Sequence, residues 1–133
     1  MNRLFAWFAE RREIGPLFIR LLIGFHLIYG VQDNILSYPR MLEFRDFLLA
    51  QGFPLPLISA FVSVYAQFVA GTLFILGWKT RPASALMVVN FLVALLAVHV
   101  GDSYSNSFPA LVMLSGSLFL LYHGPGRLAL DGE

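Results

Sequence analysis

Residues 71–87 read GTLFILGWKTRPASALM, and this stretch decides the fold. An apolar run ends at Gly77, a basic turn carries Lys79 and Arg81, and Pro82 opens a second apolar run. A glycine closing one helix and a proline at the first position of the next predict a tight helical hairpin. The chain has no charged residue between Asp46 and Lys79, or between Arg81 and Asp102. Each arm can therefore supply the roughly 20 apolar residues that cross a membrane.

The composition agrees with a membrane protein. The 133 residues are 58% hydrophobic and only 13% charged, with a mean hydropathy of +0.72. Soluble domains are about one quarter charged, so a soluble fold of this size could not bury so much apolar surface. The net charge of +1 and the lack of a Lys/Arg block exclude nucleic acid as an expected partner. The sequence has no cysteine, which excludes disulfides and thiolate metal sites.

The chain is predicted to be an all-α integral membrane four-helix bundle, forming a single domain over 1–133. Residues 1–13 mix aromatic and basic side chains and are expected to lie along the membrane surface. Residues 34–55 are too charged to span, and the apolar spacing from Met41 to Leu49 predicts a short interfacial helix between the first and second spans. Pro109 is expected to open the last span. The predicted spans are about 15–33, 56–77, 82–100 and 107–123.

An even number of spans places both termini on one side of the membrane. The cations are unevenly distributed between the two sides, and the positive-inside rule therefore predicts a cytoplasmic location for both termini and for the central hairpin. The lipid bilayer is the partner that this architecture requires. The predicted cytoplasmic cations are Arg3, Arg11, Arg12, Lys79, Arg81 and Arg127, and those on the opposite side are Arg40 and Arg45.

Polar side chains inside the membrane are costly and mark candidate sites. Counted along the helices, Arg20 lies near the cytoplasmic end, and Gln67 and Asn90 lie near the middle of the membrane. For Arg20, snorkelling to the cytoplasmic headgroups or a bond to helix-terminal carbonyls competes with a contact to an anion or to a quinone carbonyl. For Gln67 and Asn90, bonds between helices compete with ligand binding.

His99 ends the third span, close in sequence to Asp102 and close in expected depth to Asp33. A carboxylate beside an imidazole fixes its tautomer and raises its pKa, which suits proton transfer at a redox site. An interfacial histidine bonded to water and loop carbonyls is the alternative. His26 and His99 differ in depth by about 7 Å, so the sequence does not predict a haem held between them, and it shows no metal-binding spacing.

Several of these motifs occur in an order that resembles the DoxX family of small four-span bacterial membrane proteins. The first span, RLLIGFHLIYGVQD, resembles the opening of that family in Arg20, Gly24 and Gly30. Further similarities are Gly52-Phe53-Pro54, the hairpin, His99 at the end of the third span and the C-terminal GPGRLALD. The resemblance covers nearly the whole chain and implies a location in the bacterial plasma (inner) membrane, as a multi-pass protein.

The family takes its name from a membrane component associated with a thiosulfate:quinone oxidoreductase, and other members are linked to oxidative stress. The resemblance therefore implies a membrane subunit or accessory of a quinone-linked redox system. Any catalysis would depend on a quinone or on a redox protein partner, and no covalently bound cofactor is expected. Assembly into a homo-oligomer is a further expectation. The chain departs from the family at Gln32-Asp33-Asn34, where a lysine is common, and at Gln67, where an acidic residue is common.

The candidate ligand-binding residues are Arg20, Gln67, Asn90 and His99, with Asp33 and Asp102 tuning His99. Two other functions remain open. One is a small transporter, although the first span lacks the acidic residue that small exporters carry there. The other is a structural scaffold without a ligand, for which the Gly/Ser ridge of Ser59, Ser63, Gln67 and Gly71 would suffice.

Overall fold

The computed structural model describes residues 2–131, and within them the chain is all-helical with no strand. The all-α prediction is thus confirmed. The helices are α1 (Arg3–Glu10), α2 (Gly15–Leu36), α3 (Tyr38–Ala50), α4 (Pro56–Leu76), α5 (Thr80–Ala97) and α6 (Tyr104–His123), with a 3-10 turn at Arg12–Ile14. Four of them, α2, α4, α5 and α6, are long and apolar enough to cross a membrane.

The central hairpin forms as the sequence predicts. Gly77 ends α4 in the left-handed region at φ +67°, where the Trp78 amide bonds to the Leu73 carbonyl at 3.0 Å. Lys79 also has a positive φ of 49°, and α5 begins at the next residue, so Pro82 lies in the first turn of the helix rather than at its first position. The turn is short because two residues with positive φ reverse the chain direction within three residues.

The last span begins before the predicted residue. Pro109 was expected to open it, but α6 starts at Tyr104 and contains Pro109 in its interior. The Ser103 side chain accepts a hydrogen bond from the Asn106 amide at 3.2 Å and so caps the helix five residues earlier. A proline this close to the N-terminus removes only one backbone hydrogen bond, which the cap offsets.

The helices pack as two extensive pairs, α2 with α4 and α5 with α6, joined through the α4–α5 hairpin. Two glycines bring α2 and α4 together: a Cβ on Gly24 would lie 2.7 Å from the Gly71 carbonyl oxygen. The main core contains Ile23, Phe74, Met87 and Leu120. The predicted helix between the first two spans is α3, which covers a smaller core on α2 and α4 through Met41 and Leu48.

The bundle therefore has two ends with different coverings. The hairpin end carries the α4–α5 turn, the start of α2 and the segment after α6. The loop end carries α3 and the 98–103 loop between α5 and α6. The assignment of the hairpin end to the cytoplasm remains a prediction from the charge distribution, and the membrane limits of each span remain predictions from the apolar runs.

Candidate functional site

Three of the four predicted ligand-binding residues line one cleft. Gln67 on α4, Asn90 on α5 and His99 after α5 all face a cleft of about 480 Å³ bounded by α3, α4 and α5. Arg20 does not lie there, because the start of α2 is at the hairpin end. The structure thus groups Gln67, Asn90 and His99 and separates Arg20 from them.

The walls of this cleft are apolar and reach the lipid. Phe44, Phe47 and Phe53 line it from α3 and the turn that follows. Val62 on α4 and Val89 on α5 line its flanks and are 63% and 59% exposed. Since apolar side chains exposed on membrane-spanning helices contact acyl chains, a hydrophobic ligand can enter the cleft sideways from the bilayer.

A short chain of hydrogen bonds crosses the middle of the cleft. The Ser63 hydroxyl donates to Asn90 Oδ1 at 2.9 Å and accepts from Gln67 Nε2 at 3.0 Å. The Ser63–Asn90 bond joins α4 to α5, whereas the bond from Gln67 to Ser63 lies within α4. The amide orientations follow from the bonding pattern. They leave Asn90 Nδ2 and Gln67 Oε1 without a partner among residues 2–131, so one donor and one acceptor remain for a ligand.

His99 lies at the loop end of the cleft and is oriented by Asp102. Its Nδ1 is 3.2 Å from Asp102 Oδ2, and its side chain is 21% exposed. Hydrogen bonds from the Asn106 side chain, the Ser103 amide and His99 hold the pKa of Asp102 below its usual value, so the carboxylate is ionised. A charged acceptor at Nδ1 favours the proton there and leaves Nε2 free to exchange a proton with a ligand.

Asp33, the second predicted tuning residue, is placed differently from Asp102. It is exposed near the end of α2, and its carboxylate accepts a hydrogen bond from the neighbouring Asn34 amide at 3.1 Å. Among the described residues no hydrogen bond or ion pair joins it to His99. Depth estimated from the sequence does not fix the direction in which a helical side chain points.

A second cavity adjoins the cleft. It has a volume of about 220 Å³ and shares four lining residues with the cleft, which therefore stand between the two spaces: Gln67, Phe91, Ala94 and His99. His26 on α2 and Asn106 on α6 also line it. Sequence reasoning missed Asn106, which donates to Asp102 Oδ1 at 3.1 Å. The sequence did contain a signal for it, because Ser103, three residues earlier, is a typical helix-capping residue and its side chain bonds to the Asn106 amide.

Arg20 is fully buried, with 0% exposure, at the hairpin end. Its Nη2 donates to the Leu128 carbonyl oxygen at 2.9 Å, which links α2 to the segment after α6. The sequence allowed a bond to helix-terminal carbonyls, but the carbonyl that accepts from Arg20 belongs to Leu128, five residues beyond the end of α6. No group of three or more metal-ligating side chains occurs within the described 2–131 range.

The comparisons with known proteins agree with this architecture. A sequence model of the DoxX family matches residues 15–100, which include the first three spanning helices and His99. The chain belongs to the DoxX family. It is a multi-pass membrane protein, as predicted.

Two relatives extend the match. Inner membrane protein YphA of Escherichia coli K12 is 28% identical over 109 residues, covering 73% of this chain and 78% of YphA. The uncharacterized membrane protein Rv3486 of Mycobacterium tuberculosis is 30% identical over 144 residues, covering 95% of this chain and 86% of Rv3486. No solved structure matches the chain significantly.

Proposed function

We propose that this DoxX-family protein binds a quinone in the cleft between α3, α4 and α5 and serves as a membrane subunit or accessory of a quinone-linked redox system. The similarity to YphA supports placing it in the bacterial inner membrane. The observation that carries the proposal is the position of His99, backed by Asp102, in an apolar cleft that opens to lipid.

The cleft offers what a quinone needs. A quinone has a flat ring with two carbonyl oxygens and a long apolar tail. The Asn90 amide can donate to one carbonyl oxygen, and Nε2 of His99 can donate to the other when the ring is an imidazolium with its Nδ1 proton hydrogen-bonded to Asp102. The tail leaves past the exposed valines into the bilayer. The phenylalanines from α3 supply flat apolar surface for the ring.

Proton transfer is the second requirement. Reduction of a quinone to a quinol takes up two electrons and two protons. His99 can deliver a proton through Nε2 and regain one through the loop end, where its side chain is partly exposed. The electrons come from a redox protein partner, and the proposal therefore assigns this chain a binding and proton-transfer role rather than independent catalysis.

The test is a solvent extraction of detergent-purified protein, analysed for quinones by mass spectrometry. We expect near-stoichiometric quinone in the wild type and its loss in His99→Ala and Asn90→Leu. His123→Ala is the matched control, because this histidine lies at the opposite end of the bundle, bonded to Glu13 at 3.2 Å. Each variant is first checked for insertion and thermal stability, so that loss of quinone is not confused with loss of the fold.

Two results would overturn the proposal. One is quinone at wild-type level in a folded His99→Ala variant, and the other is no enrichment over an unrelated membrane protein. In either case the structural scaffold becomes the leading function, supported by the close glycine contact between α2 and α4. Proton-dependent flux in proteoliposomes would instead favour the transporter.

A further inference from the structure

The segment after α6, residues 124–131, folds back across the hairpin end and is here called the C-terminal strap. Backbone hydrogen bonds attach it at two places. The Arg127 amide donates to the Glu13 carbonyl at 2.8 Å, and the Asp131 amide donates to the Gly77 carbonyl at 2.9 Å. The strap therefore connects the start of α2 to the α4–α5 hairpin.

The last described residue of the strap places a carboxylate at the start of α5. Asp131 Oδ1 accepts a hydrogen bond from the Lys79 amide at 2.6 Å, and Oδ2 accepts one from the Thr80 amide at 3.0 Å. α5 has 18 residues, so its first free N–H groups form a positive end that favours anions. Burial raises the pKa of Asp131, but the hydrogen bonds from Thr80 and Lys79 and the positive charge of Arg20 lower it by more. The pKa therefore lies below its usual value, and the group stays ionised.

Arg20 supplies an independent observation at the same place. Its Nη1 packs against Gly77, two residues before Lys79, so closely that a Cβ on Gly77 would collide with it. Its Nε and Nη1 are fully buried and have no hydrogen-bond partner within residues 2–131. Asp131 attracts this guanidinium electrostatically, yet within the described chain no ion pair of 4.0 Å or less joins them. A buried guanidinium with unmet N–H groups is costly, and another acceptor would relieve the cost.

We propose that the start of α5 and Arg20 form a binding site for a phosphate group, which Asp131 occupies as a displaceable internal ligand. A phosphate has more acceptor oxygens than the two of a carboxylate. It can take the Lys79 and Thr80 amides and also reach the N–H groups of Arg20 that Asp131 leaves unmet. The phosphate belongs either to an anionic lipid headgroup or to a free phosphate, because the site lies at an end of the bundle.

Displacement has a structural consequence that can be measured. When Asp131 leaves, the amide bonds of Leu130 to Leu76 and of Asp131 to Gly77 are no longer held in place. Phosphate binding and strap release are then linked, and each must favour the other by the same factor. The strap acts as a tethered competitor, so weakening it should strengthen binding of the external anion.

The experiment uses the full-length protein with Trp7→Phe, which leaves Trp78, next to Lys79, as the single fluorescent reporter. It is reconstituted in nanodiscs of phosphatidylcholine alone and titrated with inorganic phosphate, against chloride at equal ionic strength. A second set of nanodiscs contains phosphatidylglycerol and no free phosphate. Hydrogen exchange of the Leu130 and Asp131 amides is followed in both sets.

We expect phosphate to change Trp78 fluorescence and to speed exchange of both strap amides in the phosphatidylcholine discs, if free phosphate is the source. The same changes in the phosphatidylglycerol discs identify a lipid headgroup. Asp131→Asn, read by Trp78 fluorescence, should lower the half-saturating concentration about tenfold, whereas Asp33→Asn, an exposed aspartate at the other end, should leave it unchanged. Arg20→Lys keeps the charge but loses the guanidinium geometry and should weaken binding.

The proposal fails if neither anion alters strap exchange or Trp78 fluorescence in the wild type or in Asp131→Asn. It also fails if Asp131→Asn and Asp33→Asn bind phosphate equally, because Asp131 is then only a helix cap. Should Arg20→Lys not insert, the two aspartate variants decide the question alone. None of these results depends on quinone binding at the cleft.

Discussion

The two ends of the bundle treat their polar side chains in opposite ways. At the hairpin end Arg20 is completely buried and its partners belong to the same chain, at Leu128 and, through electrostatic attraction, Asp131. At the loop end His99 and Asp102 stay partly exposed beside two cavities. The hairpin end is thus covered by the chain's own C-terminal strap, whereas the loop end presents a cleft that opens to lipid.

The largest difference in stability is expected between alanine substitutions of glycines at the two ends. Gly77 and Gly101 both have positive φ, of 67° and 82°. A Cβ on Gly77 would meet Arg20 Nη1 and lie 2.9 Å from Ala129 Cα, whereas a Cβ on Gly101 would have nothing within 4 Å. Gly101→Ala should cost about 1 kcal/mol from backbone strain, and Gly77→Ala should add an overpacking cost of about 1–3 kcal/mol.

Denaturant unfolding in detergent measures both glycine variants. Equal losses of stability in the two would show that the hairpin end is no more tightly closed than the loop end. If residues 124–131 became sensitive to protease in Gly77→Ala but not in Gly101→Ala, the lost stability would come from disruption of the C-terminal strap.

A smaller contrast is expected along α2 itself. Gly24, in the half of α2 nearer the hairpin end, would bring a Cβ within 2.7 Å of the Gly71 carbonyl oxygen and 2.8 Å of Ile75. Gly30, nearer the loop end, would bring a Cβ to open space. We therefore expect Gly24→Ala to destabilise by about 1–3 kcal/mol, and Gly30→Ala to change stability little, as measured by thermal unfolding. A tolerated Gly24→Ala would mean that α2 and α4 can separate without cost.

The smallest difference between the two ends is expected when the pH is lowered. The pKa of Asp131 lies below the usual 3.8 in the folded protein. The contribution of its ionised form to stability is therefore complete above pH 3.8, and it is lost as the pH falls through the lower pKa of the folded protein. We expect pepsin to begin cleaving the strap in that acid range, and Asp131→Asn to be cleaved already at higher pH. Asp102 also has a lowered pKa, but its protonation should change only local NMR signals such as that of the Ser103 amide, because its partners lie within four residues of it in an exposed loop.

Cleavage at the same pH in the wild type and in Asp131→Asn would contradict this account of the strap. The corresponding control at the loop end is Asp102→Asn, which should leave the pepsin profile unchanged.

Part of the candidate site could be predicted because its contacts are local or follow from depth. His99 and Asp102 are three residues apart, so their hydrogen bond needed only a turn after α5. Gln67 and Asn90 were placed at one depth by counting residues from the hairpin, and Ser63 joins them in the structure. Asp33 shows the limit of such counting, since its carboxylate bonds to the neighbouring Asn34 amide and, among the described residues, not to His99.

Contacts between residues that are distant in sequence could not be predicted by counting residues along the helices. Arg20 and Leu128 are 108 residues apart, and the sequence held no sign that the C-terminal segment would return to cover the arginine. The cleft itself was equally hidden, because it exists only where α3 packs beside α4 and α5.

The sequence by itself determined that this protein is a membrane bundle of four spanning helices with a tight basic hairpin. Hydrophobic length and turn residues act locally, so they can be recognised without knowing any neighbour. Only the tertiary structure decided which helices pair and which polar groups are closed off. It also decided where lipid-accessible space remains, because each of these depends on the rotation of helices about their axes and on the path of the strap.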